Sequence, residues 1–211
     1  MKTFKEQDFD MTFIYPADFV PANPGAAAPV SYSLPATRPA NPPCVQAPLS
    51  VGTNAAGTSA LVISIIDDAC PSILRDAHKL GPFVHAQLLR QLQRYGTPAI
   101  TLDTRLYTFD DRPAAVILGR ATPAPQSVEP QPAKPQPATP PAITYAAKVC
   151  MYAKVPASSF GRLHRELTAA NSIICFDFTS HQSDLLQPLL FLPVVFGDST
   201  PRSLVPAAIL R

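Results

Sequence analysis

The sequence predicts an α+β fold: a small antiparallel or mixed sheet with two main helices on one face, a ferredoxin-like variant of order β-α-β-β then β-α-β, carrying proline-rich extended segments. Three observations predict it. Runs that alternate or concentrate apolar residues over eight to thirteen positions recur from residue 59 onward. Two stretches carry apolar residues at helical spacing instead. The 26 prolines, against only 8 glycines, are concentrated in two tracts, well above the usual proline share of roughly 5%.

Residues 4–15, FKEQDFDMTFIY, read as one short strand or an anchoring segment. Residues 16–58 read as an extended arm, because proline fixes φ and biases its predecessor toward extended backbone. Phe19, Val20, Tyr32, Leu34 and Val45 are spaced along that arm as apolar pegs for a partner surface. SALVISII (59–66) is a continuous β-branched run, the pattern of a buried strand. Asp67 and Asp68 end it, and Pro71 suits the first turn of a helix. Gly81-Pro82 should break or restart that helix, after which Val84, Leu88, Leu92 and Tyr95 form an apolar stripe. Arg90 and Arg94 lie away from it, and Gly96 is a good stop.

AITLDTRLYTF (99–109) alternates, with Ile100, Leu102 and Leu106 on one side and Asp103 and Arg105 on the other. DDRP (110–113) is turn chemistry, and AAVILGRAT completes a hairpin. Residues 121–142 form the second proline tract. Beyond it, ITYAAKVCMYAKV puts Tyr145, Ala147, Val149, Met151, Ala153 and Val155 on one face and Lys148, Cys150, Tyr152 and Lys154 on the other. Ser158 or Ser159 then caps a helix whose stripe is Phe160, Leu163, Leu167 and Ala170. SIICFDFTS is a further strand, a helical turn opens near Ser183 or Asp184, and the apolar SLVPAAILR packs back on the body.

The expected organisation is an N-terminal segment and arm over 1–58, then one α+β domain over 59–211 interrupted by the excursion at 121–142. Two short halves, 59–120 and 143–211, would each expose a sheet face alone, and pairing them buries both. Two small domains joined by a stiff proline spacer is the alternative.

Chemistry is sparse. The net charge is +2 with no basic tail, a weak start for binding phosphate backbones. The four cysteines at 44, 70, 150 and 175 share no metal or redox spacing, which predicts reduced thiols in a cytoplasmic or virion-interior setting. The charged N-terminus has no signal core, and the run at 185–196 is short and broken by prolines, so no membrane span is expected. His78, His85, His164 and His181 lack ligand spacing, SSFGR is no nucleophile elbow, and no glycine-rich phosphate loop exists. No catalytic residue, cofactor or metal is expected.

The leading expectation is a non-enzymatic structural or adaptor component of a larger assembly, such as a phage particle or secretion machine. Its partners would be proteins, either copies of itself or other subunits. The alternative is a small nucleic-acid-binding module that uses Lys148, Tyr152 and Lys154 with Arg90 and Arg94, because an aromatic on an open sheet can stack a base while flanking lysines meet the phosphates. A third is a metal-assisted phosphoester enzyme built on Asp67, Asp68 and Asp103 or Asp110, whose oxygens suit a hard cation.

Overall fold

The computed structural model describes residues 1–6, 10–22, 46–66, 77–123, 142–153 and 173–211. The chain is α+β, with two antiparallel sheets and two α-helices among these residues. The expected helix after Ser158, Asp67 and Asp68, Cys44 and Cys70, and the pegs Tyr32, Leu34 and Val45 lie outside the described residues.

The segment read as one strand near the N-terminus is two, β1 (Lys2–Glu6) and β2 (Met11–Tyr15), paired antiparallel. The expected arm also contributes order. Its β3 (Phe19–Ala22) pairs with β4 (Gln46–Asn54), and β4 pairs with β5 (Ser59–Ile66). Pro48 hides β4 in the sequence, since proline reads against a strand interior. The structure accommodates it at a register shift between Pro48 and Ser50.

A short 3₁₀ turn, Ala77–Lys79, leads into α1 (Leu80–Gln93). Pro82 lies in the first turn of α1, where its missing N–H costs nothing, so Gly81-Pro82 starts the helix instead of breaking it. Leu80, Val84, Leu88 and Leu92 form the buried stripe. Next come β6 (Thr97–Phe109) and β7 (Arg112–Thr122), joined by Asp110 and Asp111 at φ 48° and 60°. Two successive left-handed residues make the type of two-residue turn whose twist suits a hairpin. The remaining strands are β8 (Thr144–Tyr152), β9 (Ile173–Ser180), β10 (Pro193–Phe196) and β11 (Arg202–Ser203), with α2 (Ser183–Leu190) between β9 and β10. A 3₁₀ turn, Ala207–Leu210, ends the chain's ordered path over the body, with Leu204 and Val205 fully buried before it.

The large sheet has the order β3-β4-β5-β9-β8-β7-β6 and the small one β1-β2-β10-β11. Strands from both sides of the second proline tract therefore lie in one sheet, with β8 between β7 and β9. The order differs from the expected ferredoxin-like one. A split βαβ unit inserts one strand between two helix-linked strands, whereas β9, β8 and β7 all separate β5 from β6.

The two described helices sit on opposite faces of the large sheet; α2 is not the second main helix of the expected pair, which lies after Ser158 outside the described residues. One face packs α1 against Ala115, Ile117, Ala146, Cys150, Tyr152, Ile173 and Cys175. The other buries Val116, Val149, Met151, Phe176 and Phe178 beneath α2 and the small sheet, where Phe13 meets Phe176 at 5.1 Å between ring centres. Burial on both faces is why β8 and β9 carry apolar residues on both sides of the strand.

Glycine is required at two positions around α1. At Gly119 a Cβ would come within 2.7 Å of Leu92 Cδ1, so the bare backbone of β7 lets the helix approach. At Gly96 the backbone has φ +142°, and a Cβ would lie 2.0 Å from the Thr122 carbonyl oxygen.

Candidate functional site

The residues expected to offer a basic, aromatic strand face fall on β8. Its alternation holds by face, but the second face is not solvated. Lys148 is 2% exposed and Tyr152 is fully buried, so neither presents itself to nucleic acid. Lys154 lies outside the described residues. Arg90 on α1 and Arg94 just past its end remain exposed, and α1 packs over the same sheet face. The expected basic cluster is thereby split between a buried strand and an exposed helix.

What occupies the face instead is a buried charged pair across two central strands. Lys148 on β8 stands directly opposite Asp177 on β9, which stands opposite Val62 on β5. Lys148 Nζ donates to Asp177 Oδ1 at 2.5 Å, and both side chains are almost wholly buried. One step along the same face, Cys150 and Cys175 are directly opposed and joined in a disulfide, with 4.1 Å between their Cα atoms. Ser64 on β5 pairs with Cys175 in register and is fully buried. At the far end of β5 and β9, Ser59 and Ser180 share a buried hydroxyl–hydroxyl hydrogen bond of 2.9 Å.

The disulfide corrects the reading of these two cysteines as reduced thiols. No Cys-Cys spacing in the sequence marks them, because their 25-residue separation is closed by strand pairing. A signal was present all the same. Lys148-x-Cys150 and Cys175-x-Asp177 are mirror patterns on two predicted strands, and an antiparallel pairing superposes both at once.

Of the carboxylates considered for a metal, Asp67 and Asp68 lie outside the described residues, and Asp103 and Asp110, the alternatives for the third ligand, occupy different parts of the β6–β7 hairpin. Asp103 is largely exposed, accepts from the Thr104 backbone amide at 2.7 Å, and lies 3.4 Å from His85 Nδ1. Asp110 lies seven residues farther along, about 20 Å at the rise of an extended strand. There it serves the hairpin end. Arg112 donates to its Oδ2 at 2.8 Å, Ser199 Oγ donates at 3.0 Å, and Arg202 lies 3.8 Å away. Burial works against ionisation of Asp110, but the hydrogen bonds and the two guanidinium charges prevail and hold its carboxyl below the usual range. The Arg112 guanidinium also lies over the Phe196 ring, 4.4 Å from its centre. Among the described residues no group of three His, Cys, Asp or Glu side chains is placed to hold a metal ion.

The other face carries an open groove of about 370 Å³ between β6, β7, β8 and α2, lined by Leu102, Leu118, Tyr145, Leu186 and Leu210 with Thr101, Ser183 and Gln187 at its polar positions. Close by, Tyr107 donates its hydroxyl to the Leu204 carbonyl at 2.7 Å, fixing the C-terminal segment to β6, and burial pushes its phenol well above the usual range.

Among the described residues, β6 is one of the two edges of the large sheet. Its register against β7 shifts between Ile100 and Leu102 and again between Leu102 and Arg105. The first shift splits the expected Ile100–Leu102 face, since Ile100 pairs with Gly119 on the α1 side and Leu102 with Leu118 on the other; the second returns Leu106, opposite Ala115, to the α1 side, where it is 54% exposed. At the opposite edge β3 buries Phe19 to 3% and leaves Val20 53% exposed.

No family model and no curated protein matches this chain. Among solved structures it is similar to the cyanobacterial PsbP protein (CyanoP) of Synechocystis sp. PCC 6803, in solution, at 10% identity and a TM-score of 0.44, over 89% of this chain and 84% of that one. Nothing is carried over to this chain from so distant a likeness. Among the described residues no helix is long and apolar enough to cross a membrane.

Proposed function

We propose that this chain is a non-enzymatic structural or adaptor component of a larger assembly, and that it meets protein neighbours along the β6 edge of its large sheet. The observation that supports this reading is Leu106, a large aliphatic side chain 54% exposed on a thirteen-residue edge strand. A long edge with an exposed hydrophobe offers unpaired backbone groups and apolar area together, the two ingredients of strand addition. From Arg105 to Phe109 the pairing with β7 is regular, so this half of the edge is the straight part. The β3 edge is less suited, since Val20 is followed by Pro21, which has no N–H to offer. The β1 edge of the small sheet is short and carries Lys2, Lys5 and Glu6, charges that oppose pairing.

The nucleic-acid reading draws no support from the burial of Lys148 and Tyr152. The phosphoester reading draws none from Asp103 or Asp110, each of which already serves a local contact, with His85 and the Thr104 amide for the first and Arg112 and Ser199 for the second.

Light scattering over a range of protein concentrations tests the proposal, with Leu106→Lys as the comparison. The reading expects association in the parent protein that is weakened by the lysine. Equal association in both, or a monomer at every concentration with no effect of the substitution, counts against contact between copies through β6.

A further inference from the structure

We infer that this chain completes its fold in an oxidising compartment, with Cys150–Cys175 as a permanent lock on the register of β8 and β9. The inference rests on the sheet and not on the proposed assembly role. Three relationships carry it. First, the two cysteines are a directly opposed pair at a Cα separation of 4.1 Å, close to the roughly 4.5 Å of a non-hydrogen-bonded antiparallel pair, the nearest approach two strands make. Second, both are fully buried in the core that Leu80, Val84, Leu88 and Leu92 of α1 close over. A bond so placed is shielded from soluble thiols once the fold is complete, which suits a structural role more than a cycling one. Third, the pair lies one same-face step from Lys148 and Asp177 on both strands.

That third relationship gives the lock its purpose. A slip of one residue would set Lys148 opposite Phe176 or Phe178, and slipping by one turns every side chain of a strand to the opposite face. A slip of two would set Lys148 opposite Cys175 or Thr179. Either shift strands a buried ammonium away from its carboxylate, a costly error in a low-dielectric core. Both strands are buried along nearly their whole length and carry apolar residues on both faces, so hydrophobic patterning alone specifies the register weakly. A covalent bond between residues 150 and 175 removes the alternatives.

Formation of the bond requires an oxidant, here a protein disulfide of the Cys-x-x-Cys class. One thiolate of the chain attacks the oxidant's disulfide to give a mixed disulfide, and the second thiolate displaces it. The chain loses two protons and two electrons, and the oxidant leaves as a dithiol. Such oxidants operate where disulfides persist, outside the reducing cytosol.

The test is thiol trapping on the full-length chain produced in the bacterial cytosol and, with a secretory leader, in the periplasm. Cells are quenched with a maleimide, the protein is unfolded without reductant, and peptides are mapped by mass. The expected result is a linked Cys150–Cys175 peptide pair from the periplasm and maleimide on both residues from the cytosol. Reduction of the periplasmic protein should raise its unfolding equilibrium constant by roughly a hundredfold, and Cys150→Ala with Cys175→Ala should reproduce that loss. Full maleimide labelling of both cysteines in the periplasmic protein overturns the inference. A linked pair in the trapped cytosolic protein overturns it too, and so does a denaturation midpoint that reduction leaves unchanged. The mapping needs no variant to fold.

Discussion

Lys148 and Asp177 face each other across β8 and β9 at 2.5 Å, an ion pair at the centre of the sheet with 2% and 1% of its two side chains exposed. Removing one member leaves the other charge in the core without it. Lys148→Met or Asp177→Leu alone should each cost about 3–5 kcal/mol, while the double substitution should cost markedly less. Urea denaturation of the three variants checks this through the coupling energy. Strictly additive losses would mean that the pair does not act as one unit.

Gly96 and Gly81 make opposite predictions for the same change. Gly96→Ala places a Cβ 2.0 Å from the Thr122 carbonyl oxygen on a backbone at φ +142°. It should destabilise by about 3 kcal/mol, or disturb the path from α1 into β6. Gly81→Ala meets only side chains at 3.5 Å, from Thr104 and Leu106. Within α1 it should be neutral or stabilising by up to about 1 kcal/mol. Thermal melts of the two variants side by side decide the point.

Thr104 carries a buried Oγ1 with no hydrogen-bond partner among the described residues. Replacing the hydroxyl by a methyl of like shape relieves an unmade hydrogen bond. Thr104→Val should therefore raise stability by about 1 kcal/mol, read as a shift of the denaturation midpoint at constant slope.

Asp110 gives a pH prediction of definite sign. Its folded carboxyl titrates below the ordinary value of 3.8 because Arg112, Ser199 and Arg202 favour the charged form. The stability this contributes is present above the unfolded pKa and is lost as pH falls from about 3.8 through the lower folded value. Asp110→Asn keeps a residue that tolerates the φ of 48° and should flatten the acid limb of the stability curve. An unchanged limb would place the acid sensitivity elsewhere.

The elements that sequence patterning reveals are those whose pattern is local. SALVISII is a strand by its β-branched run and becomes β5 at the same bounds. The Asp110-Asp111 turn follows from residues that accept left-handed backbone. The Val84, Leu88 and Leu92 stripe places α1. What patterning conceals depends on distant partners. β4 is masked by Pro48, whose accommodation depends on an irregular register with β5. Leu102 leaves the face it was expected to share with Ile100 and Leu106 because two register shifts against β7 interrupt the alternation. Lys148 reads as a solvent-facing residue because a lysine is almost never fully buried without a partner, and its partner lies 29 residues away. The sheet order is hidden as well, since the strand period of two is silent on which strands are neighbours.

Amide hydrogen exchange along β6 is the most direct measure of the assembly reading. The outward amides of an edge strand exchange quickly in an isolated sheet and slowly once a neighbour pairs with them. Protection within Arg105–Phe109 should rise with protein concentration, and Leu106→Lys should abolish the rise while leaving the protection of β8 and β9 intact. Protection of β6 that is independent of concentration and indifferent to Leu106→Lys would contradict contact between copies through this edge.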